Sequence, residues 1–453
     1  MTLHEIADVV GGTVRGDART RVTGPAYVDS RDAEQGGLFV AVVGEHVDGH
    51  DFAAGASAVL GSRPTGAPTV VVDDPVTALG RLARHVVDTV DPHVLAITGS
   101  QGKTGTKDYL AHVLAQGAPT VATLGNHNNE IGVPLTVLRI TRSTAHLVVE
   151  MGARGVGHVD YLCSVAPPDV AAVLNVGTAH LSEFGTRQQI ALAKGEIVAA
   201  LPADGTAVLN ADDDLVAAMT ARTDAVVLTF GTRGDVRWGD VRLDALGRPS
   251  FVLEHDGRRS PVALTRSGTH QVANAAAAAA LALTAGLDLA DVAEVLSTTS
   301  PASRWRMELH ERADGLVIVN DAYNANPASM AAAIETLAGI SEHRSGRGIA
   351  VLGEMLELGH EAREAHLEAG RQAASAGLDV VVTVGEMAAL IAQGASDVTG
   401  WNGRTVVAAG RDEALAWVRD NVAAEDVVLV KASRGAALEH VADGLLDEGG
   451  PSR

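Results

Sequence analysis

The apolar residues of this chain are gathered into short unbroken runs, and many of these runs are closed on their C-terminal side by a polar string. Between residues 89 and 300 such runs fall at 94–98, 120–123, 147–150, 170–175, 206–210 and 226–230, most of them separated by stretches of helical or loop character. Runs of this kind, alternating with helices, predict strands of a doubly wound parallel sheet. From 301 to 453 the rhythm returns, with runs at 316–320, 349–352, 380–384, 405–408 and 427–430, and predicts a second open α/β sheet. The first 88 residues carry shorter signals: strands near 38–42 and 69–72, and a helix through 78–87 that leads to Asp91-Pro92. The expected fold is therefore α/β throughout, in three domains spanning 1–88, 89–300 and 301–453.

In open parallel sheets ligands collect at the carboxyl ends of the strands, so the chemistry is read from the polar string at the end of each run. After 94–98 comes Gly99-Ser100-Gln101-Gly102-Lys103-Thr104. A glycine-rich turn from strand into helix directs backbone N–H groups and a helix N-terminus at one anion, while Lys103 adds charge and Thr104 offers a hydroxyl to Mg²⁺. The loop is shorter than the usual G-x-x-x-x-G-K-[ST] phosphate loop, and ATP is the expected nucleotide. After the second run comes Gly125-Asn126-His127-Asn128-Asn129-Glu130-Ile131-Gly132; the third ends in Glu150-Met151-Gly152; the fourth leads into Asn175-Val176-Gly177-Thr178-Ala179-His180. Glu150 closes an apolar run in which an unpaired carboxylate would be costly to bury, and a metal ion is its natural partner. Mg²⁺ on nucleotide phosphates takes one or two protein carboxylates plus water, which suits Glu150 with Thr104. His180 stands open between a second-metal ligand and an ordinary core or surface histidine. Lys194, in the amphipathic 190–197 stretch, reads by itself as a solvated helix lysine. Asn274 opens into the alanine run 275–280 and carries a carboxamide able to donate and accept at once at an adenine edge.

The strings of the last stretch are Asp321-Ala322-Tyr323-Asn324-Ala325-Asn326-Pro327, Gly353-Glu354-Met355, Gly385-Glu386 and Lys431-Ala432-Ser433-Arg434. Two sheets with facing polar edges predict a cleft that closes. In the first stretch, Asp29-Ser30-Arg31 and Asp48-Gly49-His50-Asp51-Phe52 are each either a surface turn or a contact to an anion or ribose.

Composition narrows the partners. A formal charge of -21, from 56 acidic against 35 basic residues, gives an overall field that repels nucleic acid and acidic membranes. A small polyanion can still bind where glycine loops, Arg, Lys and Mg²⁺ reverse that field locally. Cys163 is the single cysteine, which excludes an intrachain disulfide and suits a reducing compartment. No signal-like apolar segment opens the chain and the alanine run is flanked by polar residues, so the expectation is a cytoplasmic protein without membrane insertion.

These strings resemble those of the ATP-dependent Mur ligases of peptidoglycan precursor synthesis, over essentially the whole chain. Thr98-Gly99-Ser100-Gln101-Gly102-Lys103-Thr104 is similar to that family's shortened loop, Thr-Gly-[ST]-Asn-Gly-Lys-[ST], with Gln101 in the place of Asn. The resemblance implies a central phosphate-loop ATPase domain, a small N-terminal α/β domain for a uridine-diphosphate sugar, and a Rossmann-like C-terminal domain. It implies ATP with two Mg²⁺ ions held by Thr104, Glu150 and His180, a carbamylated Lys194, and a catalytic group of Lys103, Lys194, His180 and Arg306. Asn274 and the Arg306 of Trp305-Arg306-Met307-Glu308 match adenine and phosphate contacts, and Asp321, with Tyr323, Asn324 and Asn326, belongs to the nucleotide side.

Within the family, the 321–327 and 125–134 strings look like those of the member that adds D-alanyl-D-alanine to UDP-N-acetylmuramoyl-tripeptide through an acyl phosphate. By the same resemblance Ser30, Arg31, Asp48 and His50 attend the uridine diphosphate. Asn126, Asn128 and Asn129 fall to the substrate, and Glu354, Lys431, Ser433 and Arg434 to the dipeptide side. A monomer acting on small molecules is expected. A folylpolyglutamate synthase would share the shortened loop and the paired domains, but the uridine-type first domain argues against it.

Overall fold

The computed structural model describes residues 1–44, 47–177, 184–299 and 303–447. At its centre lies a six-stranded, wholly parallel sheet in the order Val226–Phe230, Thr206–Asn210, Val170–Val173, His93–Thr98, His146–Glu150, Thr120–Ala122. Each expected run becomes a strand whose ends lie within two residues of expectation. Strand His93–Thr98 shows why its run is unbroken. Leu95 and Ile97 enter one core with helices Lys103–Ala115 and His270–Thr284, while Val94 and Ala96 enter the other with helix His158–Val165. Successive strand side chains point to opposite faces, so a sheet covered on both sides needs an apolar residue at every position. The register pairs Ile97 with Glu150 and Thr98 with Val173, which brings the phosphate loop and Glu150 out at one edge.

The C-terminal sheet runs Glu308–Glu311, Val317–Asp321, Val427–Lys431, Gly348–Gly353, Val380–Val384, Arg404–Ala408. All neighbours are parallel except the first pair, which is antiparallel. Its polar strand ends, Asp321 and Lys431, are paired in register. The N-terminal sheet is smaller, in the order Thr13–Arg15, Thr69–Val71, Ala58–Gly61, Leu38–Val40, Ala26–Tyr27, with one antiparallel edge. Helix Pro75–Val90, capped by the Asp74 carboxylate, serves two cores: Leu79 and Leu82 pack with the first sheet, Ala83 and Val87 with the central one. The expected boundary near 88 thus falls inside a continuous helix.

Two features depart from the expected pattern. Residues 237–263 form a three-stranded antiparallel sheet, Arg237–Leu243, Pro249–His255 and Arg258–Ala263, inside the stretch read as purely parallel. Only one face is buried, through Phe251, Leu253 and Val262, so apolar and polar residues alternate and no unbroken run marks the strands. The antiparallel edge strand Glu308–Glu311 has no apolar run either, since none of its four residues is fully buried. Among the described residues no helix is long and apolar enough to cross a membrane.

Candidate active site

Helix Lys103–Ala115 begins at Gly102, whose φ of 79° is in the left-handed region. A Cβ there would stand 2.3 Å from Asn274 Oδ1, so glycine alone permits both the turn and the close approach of the Asn274 amide. Among the described residues no side chain caps this helix, which leaves its first-turn N–H groups to a bound anion. The next strand's loop steadies the turn: Gln101 N–H donates to Asn175 Oδ1 at 2.9 Å, and Gly177 N–H donates to Ser100 Oγ at 2.9 Å. Lys103 Nζ folds back to donate to Gly99 O at 2.8 Å. Burial lowers its pKa, the Glu150 carboxylate opposes that shift and Arg306 adds to it.

Glu150 is 1 % exposed at the end of its strand. Its Oε2 accepts from the Thr104 hydroxyl at 2.9 Å and its Oε1 from the Asn128 side-chain amide at 2.6 Å. A buried carboxylate beside a hydroxyl and a carboxamide is an oxygen donor set suited to a hard divalent cation that keeps several waters. Among the described residues no group of three or more His, Cys, Asp or Glu side chains could hold a metal ion. Lys194, at the end of helix Arg187–Lys194, is 5 % exposed and not solvated. Burial, and then the charge of Lys103, push its pKa well below the ordinary lysine value.

The C-terminal sheet supplies the opposite wall. Asp321 Oδ2 accepts from Lys431 Nζ at 2.5 Å, and Lys431 also donates to Asn324 O at 2.9 Å. The Arg306 guanidinium lies 4.2 Å from the Tyr323 ring centroid, and the Tyr323 hydroxyl donates to Asn126 Oδ1, joining the two walls. Between them is a cavity of about 980 Å³. Its lining includes residues 99–105, Asn126, Asn128, Asn129, Glu150, Lys194, Asn274, Arg306, Asp321, Tyr323, Asn324, Asn326, Lys431 and Arg434.

Other expected site residues lie elsewhere. Glu354 and Ser433 are outside this lining: Glu354 Oε1 accepts from Met387 N–H at 2.9 Å, and Ser433 Oγ accepts from Leu356 N–H at 3.0 Å. Ser30 and Arg31 belong to the short helix Ser30–Asp32 in the N-terminal domain, where Arg31 pairs with Asp29 and holds that carboxyl down at about 2. Asp48 caps the turn Gly49–Phe52 and also meets Arg63 at 2.7 Å. His50 is buried, with Nδ1 2.6 Å from Asp48 and Nε2 accepting from Ser62 N–H at 2.9 Å, so both ring nitrogens serve the domain's own structure. His180 lies outside the described residues. Sequence reasoning passed over Arg266, His270 and Gln271, which also line the cavity. His270 and Gln271 share the helix of Asn274, which was the available signal; Arg266 had none.

A shortened phosphate loop facing a second α/β sheet across one polar cavity defines a class: ATP-consuming enzymes that carry out group transfer inside a cleft between domains. The chain belongs to the Mur ligase family, its residues 97–282 matching the Mur ligase middle domain and its residues 305–434 the Mur ligase, glutamate ligase domain. It is 43% identical to UDP-N-acetylmuramoyl-tripeptide--D-alanyl-D-alanine ligase of Mycobacterium tuberculosis, with 98% of each chain covered. Among solved structures it resembles MurF from Acinetobacter baumannii, at 32% identity, TM-score 0.88 and 98% coverage of both chains. It also resembles MurF ligase from Thermotoga maritima in complex with ADP, at 32% identity and TM-score 0.80, covering 95% of this chain and 98% of that one.

Proposed function

We infer that the protein is an ATP-dependent ligase that joins D-alanyl-D-alanine to UDP-N-acetylmuramoyl-tripeptide, giving UDP-N-acetylmuramoyl-pentapeptide, ADP and phosphate. The observation that carries this reading is a shared cavity in which Lys103 and Glu150 of the central domain face Arg306, Asp321 and Lys431 of the C-terminal one. A carboxylate resists amine attack because it is anionic and oxide is a very poor leaving group. Transfer of the γ-phosphoryl group of ATP to the tripeptide's terminal carboxylate makes an acyl phosphate, from which phosphate leaves when the dipeptide amine attacks. The phosphate loop cradles the nucleotide, and Lys103 and Arg306 meet the charge that develops on the transferring group. Asn274 holds the adenine. Because acyl phosphates hydrolyse, the Tyr323–Asn126 bridge favours the closed arrangement that keeps water out until the dipeptide is seated.

Glu150 and Thr104 would hold one Mg²⁺; when bound, that ion neutralises phosphate oxygens. Lys194 would act as a carbamate, for which its buried, low-pKa amine is suited. The reaction's small soluble substrates, the buried free Cys163 and the acidic surface fit a cytoplasmic monomer. The test is ADP release from UDP-N-acetylmuramoyl-tripeptide with and without D-alanyl-D-alanine, the third residue being diaminopimelate or lysine in turn. Release that rises on adding the dipeptide is expected, and release that ignores it rejects the reading.

Removing one of very few protein ligands should raise the metal requirement. Glu150→Ala is expected to need roughly tenfold more Mg²⁺ for half-maximal turnover. An unchanged Mg²⁺ titration would make Glu150 a purely structural carboxylate.

A further inference from the structure

One turn beyond Lys103, helix Lys103–Ala115 carries two consecutive charges inside the protein, Lys107 and Asp108, only 4 % and 3 % exposed. Buried charges are costly unless paired and hydrogen-bonded. Here the pairing reaches three separate segments that supply the site. Lys107 Nζ donates to Thr123 O at 2.8 Å, at the root of the loop with Asn126 and Asn128. Asp108 Oδ2 accepts from Arg266 at 3.0 Å; Arg266 is itself buried and leads into His270 and Asn274. Asp108 Oδ1 lies 2.7 Å from Lys107 Nζ and accepts from the Ser303 hydroxyl at 3.1 Å. Burial works to raise the Asp108 pKa, but Lys107 and Arg266 outweigh it and hold the carboxyl below its ordinary value.

The Ser303 contact acquires its meaning from the next residues. Trp305 and Met307 have φ of 58° and 49°, in the left-handed region that side-chain-bearing residues resist. Such a turn persists only where its surroundings fix it on both sides. Downstream, Met307 N–H donates to Asp321 Oδ1 at 3.0 Å, and Trp305 N–H donates to Glu308 Oε2 at 3.0 Å. Trp305 O accepts from Tyr323 N–H at 3.1 Å, and upstream the turn is tied by Ser303 on Asp108. Arg306 stands between the two left-handed residues, its Nε buried and without a hydrogen-bond partner among the described residues.

We propose that Asp108 is a positioning residue: through Ser303 it ties the phosphate-loop helix to the turn that presents Arg306, so that nucleotide engagement at the loop and placement of Arg306 are one event. The proposal rests on the reading that ATP occupies the phosphate loop. Lys107 and Arg266 extend the same node to the Asn126–Asn128 loop and to the Asn274 helix. Asp108 lies outside the cavity lining; it acts through Arg306.

Ser303→Ala is the variant of choice, because it removes a neutral hydroxyl and leaves Lys107 and Arg266 on Asp108, so no buried charge is stranded. In the full chain, kcat and KM for ATP, ADP affinity and the thermal midpoint are measured for Ser303→Ala, Ser303→Thr, Arg306→Ala and the Ser303→Ala/Arg306→Ala pair. Ser303→Ala should lower kcat/KM for ATP roughly tenfold with the thermal midpoint nearly unmoved, and Ser303→Thr should restore it. In the Arg306→Ala background Ser303→Ala should add nothing, since its effect passes through Arg306. Losses that multiply in the pair, an unaffected Ser303→Ala enzyme, or a loss that merely tracks a fall in thermal midpoint would each overturn the proposal. A wild-type protein that binds no ADP would instead reject the nucleotide reading beneath it.

Discussion

Lys103→Ala should cut phosphoryl transfer by roughly two to three orders of magnitude while leaving affinity for the uridine substrate almost unchanged. The ammonium is held to the loop at Gly99 O and feels the charges of both Glu150 and Arg306. Charge moves there only when the γ-phosphoryl group transfers, and an interaction made mainly in the transition state appears in kcat rather than in substrate binding. Fixing the half-buried ammonium in advance strengthens the effect, because a preorganised charge needs no rearrangement when the transferring group becomes charged. The uridine substrate is expected to be held largely by the N-terminal domain, whose sheet and core are separate from the loop. Single-turnover ADP formation alongside equilibrium binding of the uridine substrate separates the two quantities. Equal loss in both would show that Lys103 is part of the fold's support and not of the transfer step.

Lys194→Ala should be nearly inactive and should regain part of its activity with formate or acetate in the medium, whereas Lys194→Arg should stay inactive. An ammonium beside the Mg²⁺ site proposed at Glu150 and Thr104 would repel the metal, and burial, with the charge of Lys103 added to it, drives the Lys194 amine toward the neutral form. A neutral amine can add CO₂, forming an N–C bond and releasing one proton, and the resulting carbamate is an anion that a small carboxylate can imitate. Guanidinium cannot react in this way and remains charged. Wild-type activity should also fall when CO₂ and bicarbonate are stripped from the buffer at low pH, where carbamates decompose. Full activity in Lys194→Arg would defeat the proposal.

How much of this was legible in the sequence depended on whether one segment carried the whole signal. The parallel strands were readable because burial on both faces demands unbroken apolar runs, as in His93–Thr98 with Leu95 and Ile97 on one side and Val94 and Ala96 on the other. The sheet at 237–263 has one wet face, and its alternating residues hid it. In the site, the phosphate loop and Glu150 declared themselves by local chemistry, a glycine turn before a lysine and a carboxylate ending an apolar run. Lys194 did not, because only the tertiary packing shows that it is buried. Asp108 and Arg266 are 158 positions apart and Asp108 and Ser303 are 195 apart, so no local pattern could join them. His50 read as part of a surface turn or of an anion or ribose contact, and the partners of its two nitrogens, Asp48 and Ser62, could not be read because Ser62 lies 12 positions away.

The central claim is that the tripeptide's carboxylate is phosphorylated in the cavity between the two sheets before the dipeptide attacks. It is tested most directly by labelling that carboxylate with a heavy oxygen isotope, running the reaction with ATP and D-alanyl-D-alanine, and analysing the released phosphate. An acyl phosphate hands one carboxylate oxygen to phosphate, so each phosphate formed should carry one labelled oxygen when the carboxylate is fully labelled. Phosphate free of label, formed alongside the pentapeptide product, would contradict the account.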